Sequence, residues 1–429
     1  MNNQRLELVA DFYEYTMSNG YLNKKMENQI AYFDVFFRKV PDEGGYAIIA
    51  GLEQIINYIK NLSFDEEDIN YLRKQNKFSE EFLNYLENFR FTGDVWAIPE
   101  GTVVFPNEPL ITVRAPIIQA QLLETMLLLT TNHQSLIATK TSRIVKEAQG
   151  RPVMEFGARR AHGINAAVEG ARAAIIGGAI GTSCTLSAKE FNVPASGTMA
   201  HSWVQSFDSE YEAFKTYAEI YPDDCTLLID TYNTIESGLP NAIKVFNEVL
   251  KPKGYKPKAV RLDSGDLAYL SKKVRKILDE AGYTECKICA TNSLDEYLIK
   301  SLIEQDAKID SFGVGENLIT AKSEPVFGGV YKLVGIEKDT KIIPKIKVSE
   351  NVVKVTNPGF KKVYRFYDNE SQKAIADVIA LSDEIIDERE YMIFDPQNPW
   401  KKKLIKDYTI RELQEKIFEN GKLIYKTLH

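Results

Sequence analysis

The sequence predicts an α/β protein: an irregular seven-stranded α/β barrel with a second α/β domain built from both chain termini. From Arg151 onwards, seven short β-rich runs alternate with helical stretches over roughly 160 residues, which is typical of a parallel sheet covered by helices. No Rossmann glycine fingerprint follows the first run, and this favours a closed barrel over an open sheet. Antiparallel strand patterns before and after this region predict the second domain.

The first part of the chain mixes helical and strand patterns. Residues 11–17 interleave aromatic side chains in a helical pattern, and residues 30–38 alternate like a strand. Further helices are predicted at 51–62, 65–74 and 79–89. Short strands are predicted at 94–98, 102–105 and 110–113. Pro116 then opens a long helix that extends to about Gln149.

The barrel region supplies the parallel strands and the helices that cover them. The strands are predicted at residues 153–156, 180–184, 193–198, 226–229, 259–262, 287–290 and 310–312. The clearest helices are predicted at 162–176, 208–220, 236–250, 267–281 and 294–304.

The last part of the chain returns to antiparallel strands. Candidate strands lie at 330–337, 341–348, 363–367 and 374–379. A charged amphipathic pattern at 411–417 predicts a closing helix. We expect these strands to join the N-terminal sheet. Residues 1–125 and 325–429 would then form one discontinuous domain, and residues 126–324 would form the barrel.

Composition excludes several classes of protein. The chain has 429 residues, of which 44% are hydrophobic and 26% charged, as in an ordinary globular protein. Its net charge is −7 and charges of both signs are interspersed, whereas a nucleic-acid-binding protein typically has a basic surface patch. Charges and glycines interrupt the most apolar stretches, 122–129 and 171–180, so we expect no membrane span. Cys286 and Cys289 form a CxxC without further nearby zinc ligands and are interpreted as reduced thiols. Together with the absence of a secretory signal, this predicts a cytoplasmic protein.

Chemically useful side chains follow the predicted parallel strands at the end where loops can reach a ligand. These residues are Arg159, Arg160, His201, Asp230, Asp263, Asp266, Asn292, Gly313, Gly315 and Glu316. The carboxyl ends of parallel strands meet at one edge of a sheet or barrel. Arginines, carboxylates, a histidine and glycines at that edge predict a site for an anionic, hydroxyl-rich ligand.

Two of these segments allow two interpretations. Asp263-Ser264-Gly265-Asp266 can cap the following helix, because Asp and Ser accept its free N–H groups. Alternatively, its carboxylates can bind sugar hydroxyls and a metal-bound pyrophosphate, and face the cationic charge that develops at an anomeric carbon. The Gly313 and Gly315 pair either marks a turn or lets a phosphate approach the backbone closely.

The basic side chains also have structural alternatives. Arg159 is either a surface ion-pair residue or part of a fork that holds a substrate carboxylate, with Phe156 stacking on a flat ring. His201 is either a buried structural imidazole or a reactive group, and its place on the rim favours the second. His133 and His429 are interpreted as structural or solvated.

Several segments together resemble the nicotinate phosphoribosyltransferase family over nearly the whole chain. They are residues 10–17, the hairpin 93–116, Glu155-Phe156-Gly157-Ala158-Arg159-Arg160-Ala161, Gly197-Thr198-Met199-Ala200-His201-Ser202, 260–266, Phe312-Gly313-Val314-Gly315, and 328–333. In this order and spacing they are highly specific. The resemblance implies a type II phosphoribosyltransferase fold and a homodimer with shared active sites.

The resemblance also implies a reaction. Family members join nicotinate to 5-phosphoribosyl 1-diphosphate, giving nicotinate mononucleotide and pyrophosphate in NAD biosynthesis. They couple this to ATP hydrolysis through a phosphohistidine and require Mg²⁺. ATP is thus implied as a co-substrate and Mg²⁺ as a cofactor, while the metal ligands stay unassigned.

Roles for individual residues follow from the same resemblance. His201 matches the phosphorylated histidine, and Asp263 matches the phosphoribosyl site, where its negative charge would stabilise a ribosyl cation. The nicotinate contacts are matched by Tyr13, Phe156, Arg159 and Thr198. The phosphoribosyl site is matched by Arg261, Ser264, Gly265, Asp266, Asn292, Gly313, Gly315 and Glu316. Many relatives carry Thr where this chain has Glu316. Relatives that use nicotinamide carry an acidic residue near Met199, so this neutral residue agrees with nicotinate as substrate.

Other functions stay open at this stage. Nicotinamide or quinolinate phosphoribosyltransferases share the fold, but a second substrate carboxylate would require more basic residues on the rim. A non-catalytic nucleotide-binding barrel should have lost His201 or Asp263, and this chain has both. A Schiff-base aldolase needs a lysine at a strand end, and no predicted strand ends in one.

Overall fold

The computed structural model of the chain describes residues 6–348, 355–387, 389–396 and 398–426. The chain divides into two units, which are described separately below. The first consists of Met1–Ser135 with Val326–His429, and the second of Leu136–Pro325. Both divisions fall within ten residues of the boundaries expected from the sequence.

Helices and strands alternate throughout the second unit, whereas strands dominate the C-terminal part of the first. The helices are α1 Phe12–Asn23, α2 Leu52–Asn61, α3 Glu66–Lys74, α4 Glu80–Glu87, α5 Ile117–Gln121, α6 Glu124–Glu147, α7 Ile164–Ile176, α8 Thr185–Phe191, α9 His201–Gln205, α10 Glu210–Ile220, α11 Leu239–Val245, α12 Leu267–Glu280, α13 Glu296–Glu304 and α14 Glu316–Ile319. The strands of the N-terminal part are β1 Ile30–Phe36, β2 Ala47–Ile48, β3 Asp94–Ala97, β4 Val103–Val104 and β5 Ile111–Pro116. Those of the second unit are β6 Val153–Glu155, β7 Thr226–Leu228, β8 Ala259–Leu262, β9 Lys287–Ala290 and β10 Ser311–Val314. The C-terminal strands are β11 Val330–Lys338, β12 Lys341–Pro344, β13 Lys361–Asp368, β14 Ala374–Leu381, β15 Glu390–Phe394, β16 Lys402–Lys406, β17 Tyr408–Glu412, β18 Glu415–Glu419 and β19 Lys422–Leu423.

The first unit is built on an antiparallel sheet with the strand order β12-β11-β1-β5-β3-β18-β19. Both ends of the chain contribute, since β1 pairs with β5 on one side and with β11 on the other. All residues of β1 after Ile30 are buried, which fits a central strand. A second sheet, β14-β13-β17, and the hairpin of β15 and β16 complete the C-terminal part.

The helix predicted at 411–417 is wrong, because this segment forms β17 and β18. Strand β17 pairs with β13, and β18 pairs with β3. Between them the buried Gln414 donates its amide N–H to the carbonyl of Pro109 at 2.9 Å. The local amphipathic pattern is compatible with a helix. Pairing with two other strands, however, satisfies the hydrogen-bonding groups of the backbone and buries Ile417 and Phe418. The long helix predicted after Pro116 is also interrupted, since it consists of α5 and α6.

The second unit contains the predicted parallel sheet. Its strand order is β6-β10-β9-β8-β7, with every pair parallel. Parallel bridges from Glu155 to Thr182 and from Thr182 to Ala195 extend it beyond β6. All seven predicted strand positions therefore take part in parallel pairing.

The closed barrel is not confirmed. Within the described residues, no backbone pairing joins the segment at Ala195 to β7. The outer segments at Thr182 and Ala195 are joined by isolated bridges rather than by a continuous ladder. Pro194 has no N–H group with which to extend the pairing to Thr182. No helix in the described ranges combines the length and apolar character that crossing a membrane requires.

A buried carboxyl group in the first unit makes stability depend on pH. Glu14 lies in the first turn of α1, where its Oε1 accepts hydrogen bonds from the N–H of Asp11 at 3.1 Å, the N–H of Thr125 at 3.2 Å and the Thr125 hydroxyl. Burial raises the pKa of Glu14 from 4.5 to about 7 despite these bonds, and nearby Glu124 raises it further. The folded state therefore retains a proton that the unfolded state releases between these two pH values.

We expect the free energy of unfolding to fall as pH rises from 4.5 to 7 and to level off above that range. Glu14→Gln removes the titrating group while retaining an acceptor oxygen. The melting temperature of the wild type should therefore fall relative to that of the variant between pH 5 and pH 8. Parallel melting curves across this range would contradict the assignment.

Candidate active site

A cavity of about 560 Å³ lies at the carboxyl ends of the parallel strands of the second unit. Its walls come from the loops after β6, β8, β9 and β10 and from the segment 197–201. Ten residues to which the resemblance gives a catalytic or binding role line it: Phe156, Arg159, Thr198, His201, Arg261, Asp263, Asn292, Gly313, Gly315 and Glu316. The convergence of loops at one edge, predicted from the strand pattern, is present in the structure.

His201 and Asp263 face each other in this cavity. Nε2 of His201 lies 3.6 Å from Oδ2 of Asp263, and Nδ1 lies 3.1 Å from the hydroxyl oxygen of Thr231. Oδ1 of Asp263 accepts a hydrogen bond from the Thr291 hydroxyl. The side chains of His201 and Asp263 are 39% and 37% exposed, so both remain accessible to a ligand.

Asp230 supports this pair and received no role from the sequence. Its Oδ2 accepts hydrogen bonds from the N–H of Asp263 at 2.8 Å and from the Ser264 hydroxyl at 2.5 Å. Its Oδ1 is buried and has no hydrogen-bond partner in the described part of the chain. The sequence places it among the chemically useful side chains that follow a strand, two residues after β7 ends, but does not reveal this supporting role.

Arg261 holds the loop that carries His201. Its Nη1 donates to the Thr198 hydroxyl at 2.6 Å, and its Nη2 donates to the Met199 carbonyl at 2.9 Å. The Arg261 guanidinium thus connects β8 to the segment 197–201, next to the place where strand pairing ends. Thr198 and Arg261 were assigned to different ligands from the sequence, but here they contact each other.

The loop after β6 is shaped by the buried Glu155. Its Oε1 accepts a hydrogen bond from the N–H of Gly157, and its Oε2 accepts one from the Thr182 hydroxyl at 2.6 Å. Burial raises the pKa of Glu155. These bonds fix the turn that presents Phe156 and Arg159 to the cavity.

The two arginines of this loop differ in their partners. Nε of Arg160 lies 3.9 Å from a carboxylate oxygen of Glu316, and that carboxylate also accepts a hydrogen bond from Lys322 at 3.0 Å. The bond from Lys322 lowers the pKa of Glu316. Arg159 is exposed and forms no ion pair with any residue that the structure describes. Its guanidinium is therefore available for a ligand.

The glycines after β10 allow Phe156 to approach closely. A Cβ at Gly313 would lie 2.5 Å from the Phe156 ring, and one at Gly315 would lie 3.2 Å from the Phe156 carbonyl oxygen. Both glycines therefore have a packing role, whether or not a phosphate also binds there.

Gly313→Ala is expected to lower the free energy of unfolding by about 1–3 kcal/mol, because the added methyl group must displace the Phe156 ring. Gly197 provides a matched control on the same cavity wall, since no atom lies within 4 Å of a Cβ placed there. Urea denaturation of both variants measures the difference. Equal stability of the two variants would contradict the packing role.

Four predicted site residues do not line this cavity. Asp266 caps α12, with its carboxylate accepting the N–H of Tyr269 at 3.0 Å, so the capping interpretation holds for this residue. Ser264 contacts Asp230 as described, and Gly265 adopts a left-handed backbone with φ of 77°.

Tyr13 belongs to the first unit, where it lines a separate cavity of about 400 Å³. Burial raises the pKa of Tyr13, and the neighbouring Glu124 raises it further.

The remaining histidines and cysteines are not among the residues that line the cavity. His133 lies in α6, and His429 lies outside the described residues. Cys286 precedes β9 and Cys289 lies within it, and both are buried free thiols. Burial raises the pKa of Cys286 to about 12, which makes it an unreactive thiol. No group of three potential metal ligands occurs among the described residues.

The arrangement defines a class of protein: an α/β enzyme whose site sits where parallel strands end and whose side chains suit an anionic ligand. Three family models match the chain. They describe the nicotinate phosphoribosyltransferase N-terminal domain at residues 8–132, the nicotinate phosphoribosyltransferase family at residues 152–366, and the nicotinate phosphoribosyltransferase C-terminal domain at residues 360–429. The chain belongs to the nicotinate phosphoribosyltransferase family.

Individual relatives agree with this assignment. Nicotinate phosphoribosyltransferase of Bacillus subtilis is 46% identical over 98% of this chain and 86% of its own length. The Caenorhabditis elegans enzyme of the same name is 34% identical over 97% of this chain and 84% of its own length. The crystal structure of human nicotinic acid phosphoribosyltransferase matches with a TM-score of 0.85 and 26% identity, covering 97% of this chain and 90% of the human chain.

Proposed function

We propose that this enzyme joins nicotinate to 5-phosphoribosyl 1-diphosphate, releasing nicotinate mononucleotide and pyrophosphate, and that it couples this step to ATP hydrolysis through a phosphohistidine at His201. The reaction is a step of NAD biosynthesis and salvage. The observation that carries the proposal is that a guanidinium, an imidazole and a carboxylate, those of Arg159, His201 and Asp263, line one cavity.

Nicotinate recognition requires a cation for the carboxylate and a flat surface for the ring. Arg159 supplies an exposed guanidinium without an ion pair in the described structure, and Phe156 supplies a ring beside it. The Thr198 hydroxyl accepts from Arg261 and can still donate its own hydrogen to a substrate oxygen. The buried, neutral Met199 places no negative charge against the substrate carboxylate.

Transfer of the ribosyl group develops positive charge at the anomeric carbon. Asp263 faces the cavity and, as an anion, stabilises that charge, while its bond from Thr291 and the bond from its N–H to Asp230 hold it in place. Departing pyrophosphate requires cations and N–H donors, and the partly exposed Gly315 in the cavity lining is the place where the backbone could supply a donor.

Mg²⁺ would fit this site as an ion that arrives with the diphosphate. The ion prefers one or two carboxylates together with substrate phosphates and water rather than an all-protein cage. Asp263, which lines the cavity, is the carboxylate that would hold it, while Asp230 supports Asp263 from outside the lining. When bound, Mg²⁺ neutralises charge on the pyrophosphate.

We propose that His201 accepts a phosphoryl group from ATP. With Nδ1–H donating to Thr231, the free lone pair lies on Nε2, which attacks the γ-phosphorus as the bond to ADP breaks. Water later releases the phosphate. The phosphoryl group adds negative charge beside Asp263 and reorganises the loop that Arg261 holds, which is how ATP hydrolysis would change binding of the ribosyl donor.

We also propose a cytoplasmic homodimer in which Tyr13 serves the site of the neighbouring subunit, and no nucleic-acid partner. In its own unit, Tyr13 is 44% exposed, which suits contact with a second chain. This rests on the family resemblance and on that exposure. Tyr13→Phe and Tyr13→Ala, assayed for ATP stimulation in mixed dimers with His201→Ala, which should lack that stimulation, separate the contributions of the two subunits.

Pyrophosphate release measures the activity directly. Protein, the ribosyl diphosphate and Mg²⁺ are mixed with nicotinate, nicotinamide or quinolinate, each with and without ATP. We expect release with nicotinate and stimulation by ATP. Release only with nicotinamide or quinolinate would favour those transferases, and no release with any acceptor would favour a non-catalytic nucleotide-binding protein.

A further inference from the structure

The turn between β9 and α13 has an unusual backbone at the edge of the strand-end cavity. Asn292 and Ser293 have φ of 94° and 47°, in the left-handed region that residues other than glycine rarely adopt. Both residues are exposed and line the cavity. Residues in such a conformation persist only where surrounding contacts hold them, and they cluster at functional sites. The contacts that hold this turn are therefore part of the site.

Asn317, in α14, provides contacts of this kind from the neighbouring loop. Its Nδ2 donates to the carbonyl oxygen of Ser293 at 2.8 Å and to the carbonyl oxygen of Leu294 at 3.3 Å. Because both partners are acceptors, the end of the amide that faces them must be the nitrogen. Asn317 thus connects the turn after β9 to the loop after β10, which carries Gly313 and Gly315.

The other end of this amide indicates that it is the donor which matters here. Asn317 is 8% exposed, and its Oδ1 is buried with no hydrogen-bond partner in the described part of the chain. A buried acceptor without a partner lowers the free energy of unfolding. An apolar side chain of similar size would avoid this cost, but it could not bind the carbonyl groups of the turn.

The chain is fixed independently on either side of this turn. On the strand side, the Thr291 hydroxyl donates to Oδ1 of Asp263. On the helix side, Nζ of Lys140 lies 2.8 Å from the carboxylate of Glu296 at the start of α13, and both side chains are buried. Between these two positions, the hydrogen bonds that the structure describes for the backbone carbonyls of the turn come from Asn317.

We propose that Asn317 is a positioning residue for the ribosyl donor, an inference that rests on the proposed function. Asn292 is the residue of this turn that the resemblance assigns to the phosphoribosyl site. Its Oδ1 accepts the Ser293 hydroxyl at 3.3 Å, whereas its Nδ2 has no partner among the described residues and can donate to an oxygen of the ribosyl diphosphate. Asn317 holds the turn that presents this donor, although Asn317 itself does not line the cavity.

Asn317→Ala and Asn317→Leu remove the donor, and the second variant keeps a similar side-chain volume. We expect each to raise the Kd and the KM of the ribosyl diphosphate about tenfold or more, because the binding-competent turn would be populated about a tenth of the time or less. The KM of nicotinate and kcat at saturating substrates should stay within a few-fold of the wild-type values. Isothermal titration calorimetry with Mg²⁺ present measures Kd, and pyrophosphate release measures KM and kcat.

A second substitution and a matched control separate positioning from general destabilisation. Ser293→Gly makes the left-handed backbone favourable without help from Asn317, so in the Asn317→Ala background it should recover most of the lost affinity. Asn241→Ala is the control. The Asn241 amide also connects two elements of this unit, since it donates to Glu210 at 3.0 Å, but it does not line the cavity. This variant should leave both KM values unchanged.

Several outcomes would overturn the proposal. They are an unchanged Kd in both Asn317 variants, loss of their fold, an equal loss of affinity in Asn241→Ala, and a loss that Ser293→Gly does not recover. Failure of the proposed function gives a different result, in which the wild type binds the ribosyl diphosphate but releases no pyrophosphate with any acceptor. The Kd values would then still decide the role of Asn317. A wild type that does not bind the ribosyl diphosphate would overturn both proposals.

Discussion

Replacing Arg159 with alanine is expected to lower kcat/KM for nicotinate by about a hundredfold, equivalent to ~3 kcal/mol. The carboxylate of the substrate would lose its charged partner in a cavity whose neighbouring cations are already engaged, Arg160 near Glu316 and Arg261 with Thr198 and Met199. Steady-state kinetics with nicotinate as the varied substrate measures the loss. The KM of the ribosyl diphosphate should change little, because Arg159 is assigned to the other substrate.

Arg160→Ala is the matched control for this prediction. It removes the same charge from the adjacent position, but its guanidinium lies near Glu316. We expect kcat/KM for nicotinate to stay within a few-fold of the wild-type value. If Arg159→Ala behaves the same way, the assignment of this residue to the nicotinate carboxylate is wrong.

His201→Ala is expected to retain slow basal transfer while losing all stimulation by ATP. The basal reaction depends on positioning and on Asp263, whereas ATP stimulation depends on the phosphorylated imidazole. Pyrophosphate release with and without ATP measures both properties. Labelling with γ-³²P-ATP under alkaline conditions should detect an acid-labile phosphoryl group on the wild type and none on the variant.

The exposed His162 lies near the cavity but does not line it, so His162→Ala serves as the control. This variant should keep both the label and the ATP stimulation. Persistent stimulation in His201→Ala would place the phosphoryl acceptor elsewhere, and the coupling would then need a different residue.

The alternation of strands and helices predicted most of the second unit, because each parallel strand is a short apolar run and each covering helix has its own amphipathic pattern. The closing helix at 411–417 failed because β17 and β18 are stabilised by partners far away in the sequence. No local pattern contains that information. Closure of the barrel is not confirmed for a similar reason, since it requires pairing between the segment at Ala195 and β7, which local patterns do not encode.

The candidate site was predictable in its place but less so in its contacts. Side chains at strand ends could be recognised one by one, and ten of them line one cavity. Sequence spacing could not reveal that Asp230 supports Asp263, or that Asp266 turns away to cap α12. Both facts depend on the directions that side chains take after a turn. In a turn, a shift of one position along the chain changes the direction in which a carboxylate points.

The interruption of strand pairing beside His201 has a consequence for motion. If a continuous ladder held this loop, every displacement of the histidine would break several main-chain hydrogen bonds. Instead, the guanidinium of Arg261 holds the loop with two hydrogen bonds, each worth about 0.5–1.5 kcal/mol. The proposed phosphorylation of His201 would therefore have to break only these two bonds to separate the loop from β8.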